Sequence, residues 1–233
     1  MKSILRLFST LFLSAIILVS CSKINPSSRP IAAFLVVHAS PDAPPLDVYV
    51  GNSLINSSQT YGKDSGYFGA EANVYDFKFI DAVTNNILVE NFVNLDGGKG
   101  YSIFVVDSLS NLKLSVANDE FSAPVGDSIR IRFLHFSPNT GALDVTTNSN
   151  DTLYLNRNFK DQELITSYNN FITLPSGAYS INLLDAGTTD TAYFLPAQNF
   201  VAGNVYTLYA KGFRGSVDSQ KTLGIGLIKN TKP

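Results

Sequence analysis

The chain is 233 residues long, 45% hydrophobic and 15% charged, with 17 basic against 19 acidic residues and a formal net charge of −2. That balance offers nothing to a phosphate backbone, and no local Lys/Arg cluster supplies it, so nucleic acid is excluded as a partner. Sixteen Phe and 11 Tyr with no Trp lean towards β structure, and the length suits two small domains that each bury a core without disulfides.

The first segment reads as an address. Met1 to Ser20 carries Lys2 and Arg6, then an apolar run from Leu7 to Val19. A positive n-region, a short apolar h-region and small residues make the layout of a secretory signal. In a helix this run reaches about 20 Å, too short for a stable membrane crossing. It ends in Leu18-Val-Ser-Cys21, which resembles the bacterial lipobox, whose cysteine becomes the lipidated first residue of the mature protein. Cys21 is the only cysteine, so an exported form has no internal disulfide to make. A cleaved lipoprotein signal peptide over 1–20 and a membrane anchor through Cys21 are expected. Losing Lys2 and Arg6 leaves 15 basic against 19 acidic residues, a net −4. Residues 21–30, polar and holding Pro26 and Pro30, read as a flexible tether. Ser22 in place of Asp resembles the sorting signal for the outer membrane, with the face of that membrane left open.

Residues 31–124 form a first unit. Short apolar or alternating runs are separated by turn residues, as in an all-β domain. The runs are Phe34 to Ala39, Leu46 to Val50, Val74 to Ile80, Ile87 to Val93, Tyr101 to Val106 and Leu112 to Val116, with a loose Gly- and Tyr-rich segment from Gln59 to Gly69. About seven strands in roughly ninety residues fit an immunoglobulin-like β-sandwich. No stripe of helical period follows the signal.

A second unit, 125–233, repeats the first. His38-Ala-Ser-Pro-Asp-Ala-Pro-Pro-Leu-Asp-Val48 is answered by His135-Phe-Ser-Pro-Asn-Thr-Gly-Ala-Leu-Asp-Val145, at a constant spacing of 97 residues. Further on, Tyr179 to Asp185 answers Tyr75 to Asp81, Asn199-Phe-Val answers Asn91-Phe-Val, and Tyr206 answers Tyr101. The spacing drifts, as insertions in loops would cause. The expected fold is all-β: two tandem β-sandwiches after the signal and tether.

Both of the chain's histidines occupy the repeated position. By the period of two, Ile129, Ile131, Phe133 and His135 share one strand face and Arg130 and Arg132 the other. The two arginines mark the wet side, so His135 points inward, and Phe34, Val36 and His38 form the matching row. A buried neutral imidazole donates from one nitrogen and accepts at the other. It can therefore close the turn made by Ser40-Pro41 or Ser137-Pro138, whose backbone groups must be paired. Asp47 and Asp144 are expected to hydrogen-bond the same Pro-rich turn. The competing reading makes His38/Asp47 and His135/Asp144 a metal or catalytic pair. Zinc wants three or four ligands, but each unit has one histidine and no thiol, and Asp42 becomes Asn139. A Ser40-His38-Asp47 triad is hard to build in a tight turn. No cofactor and no metal are expected.

Weaker candidates remain. Tyr61, Tyr67 and Phe68 could form an exposed aromatic platform for a sugar or peptide. Asn148 to Asp151 and Asp185 to Asp190 are oxygen-rich loops that could hold calcium. Asp107-Ser-Leu, Asp127-Ser-Ile, Asp151-Thr-Leu and Asp190-Thr-Ala resemble an O-glycosylation pattern of some Gram-negative bacteria. P-loop, G-x-S-x-G, H-E-x-x-H and EF-hand motifs are absent from the sequence.

The stretch His38 to Val50 resembles the signature of the DUF4397 family, domains of unknown function in exported bacterial proteins. The second copy departs from it at Phe136, Asn139, Thr140 and Gly141. The resemblance implies export, β architecture and tandem occurrence, and carries no site residues. The expectation is a non-enzymatic, lipid-anchored envelope protein that binds a glycan, peptide or protein. An envelope hydrolase using the His/Asp pairs, or a structural spacer, is the alternative.

Overall fold

The computed structural model describes residues 29–149 and 151–231. The signal segment, Cys21 and all but the last two tether residues lie outside the described residues. The first unit has eight strands: β1 (Ile31–His38), β2 (Leu46–Val50), β3 (Ser53–Gln59), β4 (Phe68–Glu71), β5 (Asn73–Asp81), β6 (Ile87–Leu95), β7 (Gly100–Val106) and β8 (Lys113–Asp119). They form two sheets, ordered β4-β1-β7-β8 and β3-β2-β5-β6. The second unit has β9 (Ser128–His135), β10 (Leu143–Thr147), β11 (Thr152–Arg157), β12 (Ile172–Pro175), β13 (Gly177–Asp185), β14 (Thr191–Phe200), β15 (Val205–Lys211) and β16 (Gly224–Asn230). Its sheets, β12-β9-β15-β16 and β11-β10-β13-β14, repeat the first pair position by position. Neighbours are antiparallel except β1 with β7 and β9 with β15, which run parallel. Helix is confined, among the described residues, to three short 3₁₀ turns.

Each unit is a sandwich closed over its own core. Phe34, Val36, Leu46, Val48, Phe77, Phe79, Leu95 and Ile103 meet inside the first. Ile131, Phe133, Leu143, Val145, Ile181, Leu183, Phe200 and Leu208 meet inside the second. In each, a tyrosine hydroxyl of the first core strand after the β6- or β14-type hairpin pins the corner: Tyr101 accepts from the Asp96 N–H (2.9 Å) and Tyr206 from the Val201 N–H (3.1 Å). This is the tyrosine corner of immunoglobulin-like sandwiches. One repeat assignment shifts. Asn73 pairs with Leu95 and Gly177 with Phe200, so Phe200 stands where Leu95 does, and Asn91-Phe-Val is not its counterpart.

A third core joins the units. Leu35, Val37, Ala39, Phe104 and Val106 of the first sandwich pack on Leu134, Phe136, Tyr209 and Ile228 of the second. Phe104 lies 4.6 Å from Phe136 and 5.3 Å from Tyr209, ring centre to ring centre. The sheets containing β1 and β9 therefore face each other, and β1 and β7 are buried on both sides. Their near-continuous apolar sequences suit that environment, as for strands of a fully covered parallel pair.

This interface overturns the expectation that Arg130 and Arg132 face water. Arg132 is 0% exposed. Its Nε donates to Thr207 Oγ1 (2.9 Å), one terminal nitrogen to the Asn118 carbonyl, and the other pairs with Asp119. Phe171 covers the guanidinium at 4.6 Å. The bonds close into a ring across the interface. Thr207 donates to Asn230 (2.8 Å), Asn230 to the Tyr67 hydroxyl (2.8 Å), and Tyr67 to Asp119 (2.7 Å). Ser102 also donates to Asp119. Only Arg130, at the rim with Glu120, keeps partial exposure. Alternation named the shared face correctly; what it could not tell is that a second sandwich covers that face.

Candidate functional site

The repeated stretch ends β1 and β9 and turns into β2 and β10. His38 Nε2 donates to the Pro44 carbonyl (2.9 Å) and His135 Nε2 to that of Gly141 (3.1 Å). Both rings are 0% exposed. Burial holds the His38 imidazole below its ordinary value and pushes that of His135 down to about 4, so each is neutral. The Ser137 N–H donates to His135 Nδ1 (3.3 Å). Tyr61 and Phe159 stand edge-on to the two rings.

The aspartates work elsewhere. Asp47 does not reach the Pro-rich turn; its carboxylate accepts from the Ser58 N–H on β3 (2.8 Å). Asp144 accepts from the Asn156 N–H (2.7 Å) and the Gly187 N–H (2.9 Å). Ser58 and Asn156 both have φ of 49° and sit where the β2–β3 and β10–β11 ladders slip register. A bulge leaves an N–H unpaired, and the repeated aspartate satisfies it. Asp42 and Asn139, at matching positions, both tie the turn to a backbone segment distant in sequence. Asp42 accepts from the Leu109 N–H (2.8 Å), and Asn139 both donates to and accepts from the Arg214 backbone.

Of the remaining motif residues, Ser137 donates to the Gly212 carbonyl and accepts from the Thr140 hydroxyl. Ser40 is equally buried, and its hydroxyl has no partner among the described residues. Pro41 is buried and Pro138 half-buried. No three His, Cys, Asp or Glu side chains converge among the described residues.

Tyr61, Tyr67 and Phe68 do not form a platform. Phe68 packs into the first core against Phe34 (5.6 Å), and Tyr67 belongs to the interface ring and packs on Phe121. Tyr61 lies under Lys211, with its hydroxyl buried. Their segment runs along the seam between the sandwiches, and that location buries aromatic surface that would otherwise be exposed. The Asp185 carboxylate, at the start of one oxygen-rich loop, is held by both terminal nitrogens of Arg214, which lowers its pKa. No sequence signal pointed to Gln59 and Arg157, different residues at one position. Gln59 donates to the Val36 carbonyl (3.0 Å) and Arg157 to that of Phe133 (2.8 Å), and Arg157 is paired with Asp161.

Where the Pro-rich turn of the first unit meets the long β15–β16 loop of the second, a cleft of about 840 Å³ opens. Pro41, Pro44 and Pro45 form one wall, Tyr61 and Lys211 lie along the seam, and Lys221 comes from the loop. A hollow of about 780 Å³ lies at the other end of β1, lined by Pro30, Gly98 and Phe121. Its lysine, Lys99, is already paired with Asp96, so the chemistry of the first cleft is the richer.

Residues 32–146 match the family model described as domain of unknown function DUF4397. The chain carries a DUF4397 domain. The DUF4397 match runs from β1 through β10 and so includes both copies of the histidine turn. No curated protein matches the sequence. Among solved structures, this DUF4397 chain is similar to CBMbc (family CBM26) of Eubacterium rectale Amy13K in complex with maltoheptaose, with 10% identity, 86% of this chain and 98% of that one covered, and a TM-score of 0.26. It is also similar to a structure described as alpha-glucan binding by a streptococcal virulence factor, with 12% identity, 76% and 92% covered, and a TM-score of 0.24. At those scores neither likeness bears on a ligand.

Proposed function

We propose that this DUF4397 chain is a non-catalytic binding module of the bacterial envelope. A lipid on Cys21 holds it at the outer membrane, and a polymer, peptide or protein of the envelope or its surroundings binds in the proline-walled cleft between the sandwiches. The observation that carries this is the division of labour within the repeated stretch. Its histidine and aspartate are spent on backbone groups, while its prolines line the recess at the junction. Binding sites favour such concave, largely apolar junctions between domains.

The test has two parts. Mass spectrometry of the mature N-terminal peptide should find lipid on Cys21, and an unmodified Cys21 removes the anchor. An array of envelope polysaccharides and peptides probed with the full chain should give binding that Ala43→Trp, placed in the cleft, abolishes. Binding that survives Ala43→Trp, or none at all, rejects the cleft.

A further inference from the structure

We propose that the ligand of the cleft is an acidic glycan whose carboxylates are received by Lys211. This rests on the cleft being the binding site. Lys211 ends β15, and the second unit thus places a cation beside the first unit's turn. Its side chain is half-buried, with Nζ 4.5 Å above the Tyr61 ring. Among the described residues no carboxylate lies within ion-pair distance of it, and burial lowers its pKa. Lys63 also lines the cleft, as does Lys221, which pairs only loosely with Asp218 at 3.7 Å. The two acids there are engaged: Asp42 by the Leu109 N–H, Asp81 by Val83 and Thr84. An amine drawn partly out of water without a counter-charge gains most from an incoming anion. Compact ammonium groups with no arginine suit isolated carboxylates, since arginine is the residue that matches planar forks.

The wall selects sugar over peptide. Prolines 41, 44 and 45 have no N–H, and the carbonyls of Pro44 and Pro45 already accept from His38 and from Ala82 (3.0 Å). A peptide added as a strand needs both backbone partners; the C–H face of a sugar ring needs neither.

Binding of polygalacturonate, its fully methyl-esterified form and poly-glutamate to the full chain tests this. Polygalacturonate should bind best, and Lys211→Met should weaken it about ten-fold or more. Lys211→Met should leave the unfolding midpoint in place, and Lys113→Met, on β8, should change nothing. If the ester binds as well and Lys211→Met is silent, while Ala43→Trp still abolishes binding, the carboxylate is wrong and the cleft stands. Preference for poly-glutamate overturns the glycan. Binding insensitive to Ala43→Trp overturns both.

Discussion

Replacing Arg132 with methionine removes the cation from a ring that closes only across the two sandwiches. The variant keeps the aliphatic stem but strips the charge opposite Asp119, whose side chain is as fully buried as that of Arg132. It also leaves the Asn118 carbonyl and Thr207 Oγ1 without their donor. Tyr67 and Ser102 still donate to Asp119, yet two neutral donors do not replace a guanidinium. Breaking a buried pair from one side costs about 3–5 kcal/mol, a large share of a total stability of about 5–15 kcal/mol. Arg130→Met is the internal control: the same strand face, but a solvent-exposed pair with Glu120, for which about 0–1 kcal/mol is expected. Urea unfolding of the full chain, followed by circular dichroism because there is no Trp, reads both. Arg132→Lys should fall between, since one ammonium cannot span three acceptors. If Arg132→Met loses no more than Arg130→Met, the ring does not hold the interface and the reasoning fails.

The repeated turn and the seam respond to perturbation in ways that can be measured too. Because burial pushes the folded-state pKa of His135 down to about 4, the unfolded chain binds the extra proton between there and about 6.5. That part of the stability is complete above pH 6.5 and is lost as pH falls towards 4, by about 3 kcal/mol at most. His135→Gln should flatten the dependence of urea midpoints on pH in this window, and an unchanged slope would contradict it. Asp144→Ala orphans two N–H groups and Asp47→Ala one, so urea titration should show losses of about 3 and about 1 kcal/mol respectively; equal losses would count against the bulge role. Gly226→Ala places a Cβ 2.0 Å from the ring of Tyr209, which is buried between the sandwiches. Thermal melts should show a loss of about 2 kcal/mol or more, and a neutral result would mean that the seam is looser than drawn.

The β class, the duplication and the inward row of each first strand were legible because each follows from alternation and from spacing within one chain segment. Ile129, Ile131, Phe133 and His135 are all buried. Less legible were β3 and β4, whose sequences, Ser-Leu-Ile-Asn-Ser-Ser-Gln and Phe-Gly-Ala-Glu, are edge strands half open to water. Edge positions impose weak apolar patterning, so sequence signals them faintly. The second face of β1 and β9 was hidden for a different reason. An arginine beside another arginine looks solvated, and only the partners Asp119, Asn118 and Thr207 from other strands make its burial tolerable. Lys211 was invisible on the same ground. It aligns with Val106 rather than with a lysine in the first unit, and its meaning comes from Tyr61, far away in sequence.

The third core explains why the units belong together. A lone first sandwich would present Leu35, Val37, Phe104 and Val106 to water, a contiguous apolar face of the kind that soluble domains cover. The second sandwich supplies the cover, and its Gln162 reaches across to Ser115 (3.1 Å) as well. Covering that face fixes the β15–β16 loop over the histidine turn, so the cleft is made by the duplication and exists in neither half. The histidine turn, the bulge aspartate and the tyrosine corner each recur because each is needed to build one sandwich. Arg132 and Lys211 occur once because they serve the junction. In a duplicated chain, the features that break the repeat at the seam are therefore where a function beyond folding should be sought: Arg132 holds the junction from within, and Lys211 reaches the proline-walled cleft.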